Sequence, residues 1–260
     1  MPDPSLPQQN NFQPDSWSSL RNYTAARIAL GRAGTSVPVR ESLKFKLAHA
    51  HARDAVYSTL DLPSLTNGLR QFGLPLLEMH SQTQNRRTYL QRPDLGRRLN
   101  DASLQTLSHM SSAWRAQSSD IALILAGGLS ATAINDHAVN LLEIIIPQFR
   151  AAGLTLAPIT VVEHARVAIS DEIGFLLKSR LSLILIGERP GLSSPNSMGI
   201  YLTYGPHPGL TDETRNCISN IRPEGLSYEM AAEKAFYLVS QSLNRKVSGI
   251  ALKDETKFLS

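Results

Sequence analysis

The 260-residue chain is 42% hydrophobic and 18% charged, with a net charge of +4 and a single cysteine. That length suits one large or two small domains with an ample core, and the composition excludes a disordered chain. The charge excess is too mild for a nucleic-acid reader, one cysteine excludes an internal disulfide or a Cys₂ or Cys₄ metal site, and no run approaches the ~20 apolar residues of a membrane span.

Residues 1–18 read as a flexible tail. Met1–Ser16 is rich in Pro, Gln, Asn and Asp, and lacks the charged n-region and apolar h-region of a secretory signal. Together with the cysteine usage, this predicts a cytoplasmic protein. Residues 19–100 read as a mainly helical N-terminal region. Gly31 and Gly34 break its start, and Pro38–Leu60, rich in Ala and Leu and free of Gly, predicts a helix. Asp61–Pro75 reads as a loop because of Pro63, Gly68 and Pro75. The stretch from Gln82 to Leu99 holds five arginines, with a turn at Pro93, Asp94 and Gly96. Ala102–Ala116 is compatible with a helix.

Residues 101–260 read as a Rossmann-like α/β domain, with the division near residue 100. Ile121–Ala126 predicts a buried strand, and Ser130 a cap for a helix reaching about Ala152, stopped by Gly153. Leu154–Val162 predicts a second strand, with Pro158 at an edge or start. Arg166–Ile169 reads as extended, and Ser170 as the cap of a short helix with Asp171 and Glu172 in its first turn. Leu181–Ile186 is a strand buried on both faces. Met198–Tyr204 is another, followed by a loop carrying Cys217. Ser227 caps a helix over Tyr228–Asn244, and Val247–Leu252 reads as a last strand. Strands alternating with helices imply a doubly wound, mostly parallel sheet.

Ligands in such sheets sit at the carboxyl ends of the strands. The loop after Ile186, with Glu188, Arg189, Ser193 and Ser194, is therefore a candidate binding loop. Pro190 and Gly191 suit an ordinary turn equally well, and Glu188–Arg189 a solvated pair. There is no G-x-G-x-x-G, P-loop or G-x-S-x-G. His49 and His51 lie two apart on a helix and cannot chelate one metal. His137 reads as solvated, His207 as a loop residue within reach of a ligand or simply exposed, and Cys217 as a buried small hydrophobe. An α/β domain with no evident acid, base, nucleophile or metal site reads as a cofactor platform or subunit rather than a complete enzyme.

Seven segments then fall in one order: Thr24–Gly34, His51–Val56, Tyr89–Leu99, Gly128–Ala133, Asp171–Gly174, Leu185–Tyr204 and Arg215–Gly225. Together they resemble the small (light) subunit of ethanolamine ammonia-lyase, from about Arg21 to Lys253. The resemblance implies a hetero-oligomer with a large subunit, a TIM barrel that carries the substrate site. It also implies adenosylcobalamin between the chains and radical conversion of ethanolamine to acetaldehyde and ammonia. Carried over by motif, the cofactor contacts are Val167, Glu188 and Cys217, with no catalytic residue and no metal ligand in this chain. Glu188 would accept hydrogen bonds from the corrin amides, Val167 would offer apolar surface, and Cys217 would let backbone approach the ring.

Two positions depart from the family pattern: Gly127 stands where Asp is usual, and Ala165 where Gly is usual. The motif Asp-x-His-x-x-Gly is absent, Asn135-Asp136-His137 being the nearest stretch, so the cofactor is expected base-on. Arg27, Arg32, Arg92, Arg97 and Arg98 are expected to include partners for large-subunit carboxylates. Packaging in a bacterial microcompartment stays open, the Met1–Ser16 tail having no evident amphipathic helix. A purely structural subunit of the same complex is the alternative, and a stand-alone nucleotide enzyme is disfavoured by the missing glycine fingerprint.

Overall fold

The computed structural model describes residues 12–109 and 118–254, so part of the expected 102–116 helix lies outside the described residues. They divide into two compact units. One comprises residues 12–53 with Gly191–Ser193, and the other the remainder from Asp54.

In the first unit, strand β1 (Phe12–Gln13) pairs antiparallel with β2 (Arg32–Ala33). Gly31 has φ +74°, and a Cβ there would lie 2.7 Å from the Phe12 ring. The left-handed backbone and the close ring both demand glycine. Helix α1 (Val39–Tyr57) begins in this unit, close to the expected span. The Arg27 guanidinium donates to the Lys44 carbonyl at 3.2 Å and lies 5.5 Å from the Phe45 ring centre.

The second unit is built on six strands in the order β3 (Leu76–His80), β5 (Ile159–Glu163), β4 (Ile121–Ala126), β6 (Leu181–Gly187), β7 (Met198–Tyr204) and β8 (Arg215–Ile221). The first four run parallel, β7 runs antiparallel to β6, and β8 antiparallel to β7. Helices α2 (Leu62–Arg70), α5 (Ala131–Ala151) and α7 (Tyr228–Arg245) pack on one face. Helices α4 (Asp101–His109) and α6 (Ile169–Leu176) pack on the other, and the short α3 (Arg86–Gln91) stands beyond β3 in sequence. Leu181, Leu183 and Leu185 enter the first core while Ile184 and Ile186 enter the second. Two-sided burial turns the period-2 alternation of a strand into an unbroken apolar run. Among the described residues, no helix is long and apolar enough to cross a membrane.

Several local expectations are corrected. Residues 62–70 are helical, not loop. Asp61 caps α2 by accepting from the Ser64 amide at 3.1 Å, and Pro63 sits in the first turn, where its missing N–H costs nothing. Gly68 is kept small by Val139, whose methyl would lie 3.0 Å from a Cβ there. Residues 76–80, from the stretch read as the helical region, form the edge strand beside β5. Residues 164–168 turn rather than extend, and residue 168 precedes α6, so Ser170 is inside the helix and bonds back to the Val167 carbonyl. Cys217 lies in β8, not a loop. Residues 249–251 form a 3-10 turn instead of a last strand.

Only one of the two long-helix caps works as expected. The Ser227 hydroxyl accepts from the Met230 amide, whereas the Ser130 hydroxyl donates to the Pro195 carbonyl at 3.0 Å and leaves α5 without a side-chain cap. Ser227→Ala is therefore expected to cost about 1 kcal/mol of unfolding free energy, seen as a lower urea midpoint at unchanged slope.

Candidate functional site

The ends of β4, β5 and β6 lie side by side, and the loops that leave them build the site. After β4 the chain turns through Gly127 and Gly128. Gly128 has φ +56°, and a Cβ there would lie 2.2 Å from the Gly187 carbonyl oxygen. A Cβ on Gly187 would in turn lie 1.9 Å from the Ser130 carbonyl oxygen. The Leu129 amide donates to the Gly187 carbonyl at 3.0 Å. Backbone thus packs directly on backbone across two strand ends, which only glycines allow.

The loop after β5 rests on the arginine-rich stretch. Tyr89 is fully buried, and its hydroxyl donates to the Ala165 carbonyl at 3.0 Å. The Arg166 amide donates to the Gly96 carbonyl at 2.7 Å, and a Cβ on Gly96 would crowd Arg166 at 3.0 Å. The guanidiniums of Arg86 and Arg166 lie 4.9 and 4.3 Å from the Tyr89 ring centre. Arg86 also donates to the Val56 carbonyl at 2.6 Å and the Gly128 carbonyl at 2.7 Å, tying this scaffold to the glycine turn. Burial pulls the Arg86 pKa down and pushes the Tyr89 phenol up. Arginine at this starting value stays charged regardless.

The third loop carries Glu188. Its Oε2 accepts from the Asn220 amide at 3.1 Å, and a Cβ on Gly199 would sit 3.0 Å from Oε1. Next along β7, Tyr201 stands opposite Cys217 of β8. Burial raises the Tyr201 phenol strongly, with Cys217 and the Glu188 charge adding to it. Cys217 belongs to an exposed edge-strand residue, yet loss of water from its sulfur and the Glu188 charge push the thiol up, against a Tyr201 hydrogen bond that lowers it. Both shifts favour the neutral forms of the phenol and the thiol.

These loops enclose an open hollow of ≈ 410 Å³. Val167 and Glu188 both line it, with Leu129, Arg166 and Tyr201. Cys217 reaches it only through Tyr201. One correction follows. Cys217 is exposed rather than a buried hydrophobe. One oxygen of Glu188 is already held by Asn220, which leaves Oε1 for an outside donor. The Ala165 side chain is fully buried in the second core, so its methyl does not narrow the hollow beside Val167. At Gly127, where the family usually has Asp, a Cβ would meet Ala131 and Leu60 at 3.3 Å.

Sequence reasoning missed Tyr89, Arg166 and Tyr201. Tyr89 and Tyr201 lie within the segments that carry the resemblance and Arg166 stands next to Val167, but only the fold shows that Arg166 and Tyr89 meet. The Arg166 Nε is buried without a hydrogen-bond partner within the chain. His137, expected in solvent, is 5% exposed, with Nδ1 2.7 Å from the Tyr228 hydroxyl, and burial lowers its pKa. His207 is exposed and 3.1 Å from the Pro208 carbonyl. Arg92 and Arg98, expected to face a partner, already pair within the chain, with Asp94 at 2.6 Å and Glu172 at 3.5 Å.

Beneath the site, Asp171 of α6 and Arg215 of β8 form an ion pair only 3% and 2% exposed. Arg215 also bonds the exposed Asp212 at 3.0 Å. Burial raises the Asp171 pKa while the Arg215 charge opposes it. The pair joins the helix that follows Val167 to the strand that carries Cys217.

Comparison with known proteins agrees over nearly the whole chain. The family described as Ethanolamine ammonia-lyase light chain (EutC) matches residues 14–253. The chain is 51% identical to the ethanolamine ammonia-lyase small subunit of Pseudomonas aeruginosa (strain LESB58) over 257 residues, covering 99% of this chain and 93% of the relative. It is 52% identical to that of Azotobacter vinelandii over 244 residues, covering 93% and 89%. It is 50% identical to that of Pseudomonas syringae pv. tomato over 250 residues, covering 96% and 87%.

Asp171→Asn removes the buried charge that faces the Arg215 guanidinium, leaving it the exposed Asp212, and is expected to cost about 3 kcal/mol of stability, measured by urea unfolding. The double replacement Asp171→Leu with Arg215→Met is expected to recover most of that loss, because it removes both charges together.

Proposed function

The chain belongs to the ethanolamine ammonia-lyase light chain family, and we propose that it forms a hetero-oligomer with a large subunit and supplies one side of an adenosylcobalamin site. The assembly converts ethanolamine to acetaldehyde and ammonia in the cytoplasm, with substrate held by the larger chain. The observation that carries this reading is that Val167 and Glu188 share one hollow at the strand ends, with Cys217 beside it across Tyr201.

The residues present fit the group. A corrin is a wide, flat ring edged with amides. The hollow offers a floor where Gly128 and Gly187 keep the backbone bare, an apolar wall at Val167 and Leu129, and polar groups at its rim. Glu188 Oε1 would accept an amide N–H, its Oε2 being held by the Asn220 amide. The hollow is open, so a second chain would complete the enclosure. Bound there, adenosylcobalamin would supply homolytic cobalt–carbon chemistry. This chain's own residues would orient the ring and keep water from its edge. The base-on form is retained in this reading, since His137 is engaged by Tyr228 inside the first core and is not offered to a ligand.

The second reading, a purely structural subunit, is favoured by one observation: Glu188 already serves β8 through Asn220. Replacement separates the two. Glu188→Gln keeps a side-chain oxygen for Asn220 while losing the charge. Glu188→Ala in the assembled complex is expected to raise the adenosylcobalamin concentration for half-maximal ammonia release by roughly 10-fold or more, the worth of a hydrogen bond to a charged group, with Glu188→Gln falling between. Unchanged cofactor affinity in both variants, with assembly intact, would establish the structural reading instead.

A further inference from the structure

Residues 12–53 carry many large apolar side chains but bury none. Within that span only Pro38 and Glu41 are buried. Ten of the 15 exposed large hydrophobics among the described residues lie there, including Trp17 at 66% and Tyr23 at 85% exposure. A segment this short cannot build its own core, and a concentration of exposed apolar surface marks an interaction site.

Helix α1 gives the surface a shape. Val39, Leu43 and Leu47 repeat every four residues and so form one stripe along the helix. They are 74%, 59% and 58% exposed. Arg40 and Lys44 run beside the stripe at the same spacing. The span 12–53 holds seven Lys and Arg against Asp15 and Glu41, a net +5 where the whole chain carries +4. The chain's entire positive excess therefore sits on the segment that lacks a core. An apolar stripe at helical spacing is how a helix lies in a groove, and aromatic residues with arginine are the types enriched at interfaces.

We propose that α1 docks by its Val39–Leu43–Leu47 stripe into an apolar groove on the large subunit, rimmed by carboxylates that face Arg40 and Lys44. This rests on the hetero-oligomer of the preceding section and names the surface through which this chain joins it.

The test compares wild type with the triple variant Val39→Gln, Leu43→Gln and Leu47→Gln, each co-expressed with the cognate large subunit. Glutamine keeps helix propensity. The lone variant is expected to keep the far-ultraviolet dichroism and thermal midpoint of wild type, because the stripe faces solvent. Its assembly with the large subunit is expected to weaken by about 10-fold or more, and Leu43→Met with Leu47→Met to assemble like wild type. Arg40→Glu is expected to weaken assembly most at low salt.

Wild-type affinity in the triple variant would overturn the proposal. So would a destabilised lone variant, which would place the stripe against its own chain. Concentration-dependent dimers of the lone wild-type chain, lost in the variant while large-subunit assembly persists, would also overturn it by assigning the stripe to a second copy. In each of these cases ammonia release by the wild-type pair leaves the proposed function standing. If the wild-type chains neither assemble nor release ammonia from ethanolamine, the functional reading itself falls, and this proposal with it.

Discussion

The backbone contact between Gly128 and Gly187 is the constraint on which the site depends. Two adjacent parallel strands, β4 and β6, end with no side chain between them, and each glycine lacks room for a single carbon. Because the contact is steric, it admits no partial version. A methyl at either position would force the turn after β4 and the end of β6 apart. The hollow lined by Val167 and Glu188 exists because those two loops are held close and flat. The same contact sets where α5 starts, since the chain must pass from Gly128 to Ser130 before the helix can begin.

Polar groups below and beside that contact hold the neighbouring loops in place. Tyr89 contributes one hydrogen bond and one ring face, and two guanidiniums lie against that ring while also bonding carbonyls of three different segments. The stretch between residues 86 and 98 is therefore a scaffold more than a surface. Asp171 and Arg215 do similar work between α6 and β8, where burial makes their pairing obligatory rather than optional. A binding surface on loops gains precision when the loops are over-determined by such contacts, and each of the three loops here has at least one bond to a residue distant in sequence.

What was legible in the chain followed from how local the signal is. Strands β4 and β6, buried on both faces, announce themselves as apolar runs, and α5 and α7 by length and by the residues around their ends. Helix α2 was hidden because Pro63 and Gly68 look like breakers until Asp61 and Val139 are placed beside them. Edge strands β3 and β8 are buried on one side only and carry polar residues, so their patterns are weak. Cys217 illustrates the consequence: with β8 read as a loop, its place opposite Tyr201 could not be seen. Val167 and Glu188 were named through resemblance, and the fold brings them to one hollow. Arg166 stands directly before Val167 in the chain, but its orphaned Nε becomes visible only once Tyr89 is seen to cover the rest of the guanidinium.

Two features of this chain are incomplete in the same physical sense. The hollow is open, with one acidic oxygen of Glu188 left over. The segment 12–53 has apolar surface without a core. Either feature alone is ordinary in a protein that binds something. Their chemistry differs, however, and this separates their roles. The hollow is small, mixed in polarity and built on rigid strand ends, which suits part of a small-molecule group. The arm is broad, apolar and basic, which suits a protein surface. A chain that carried only the hollow would bind its ligand on one side and release it readily to water. In the proposed reading, docking of a second chain would also close the hollow, so that binding of the group and assembly of the complex would become one event.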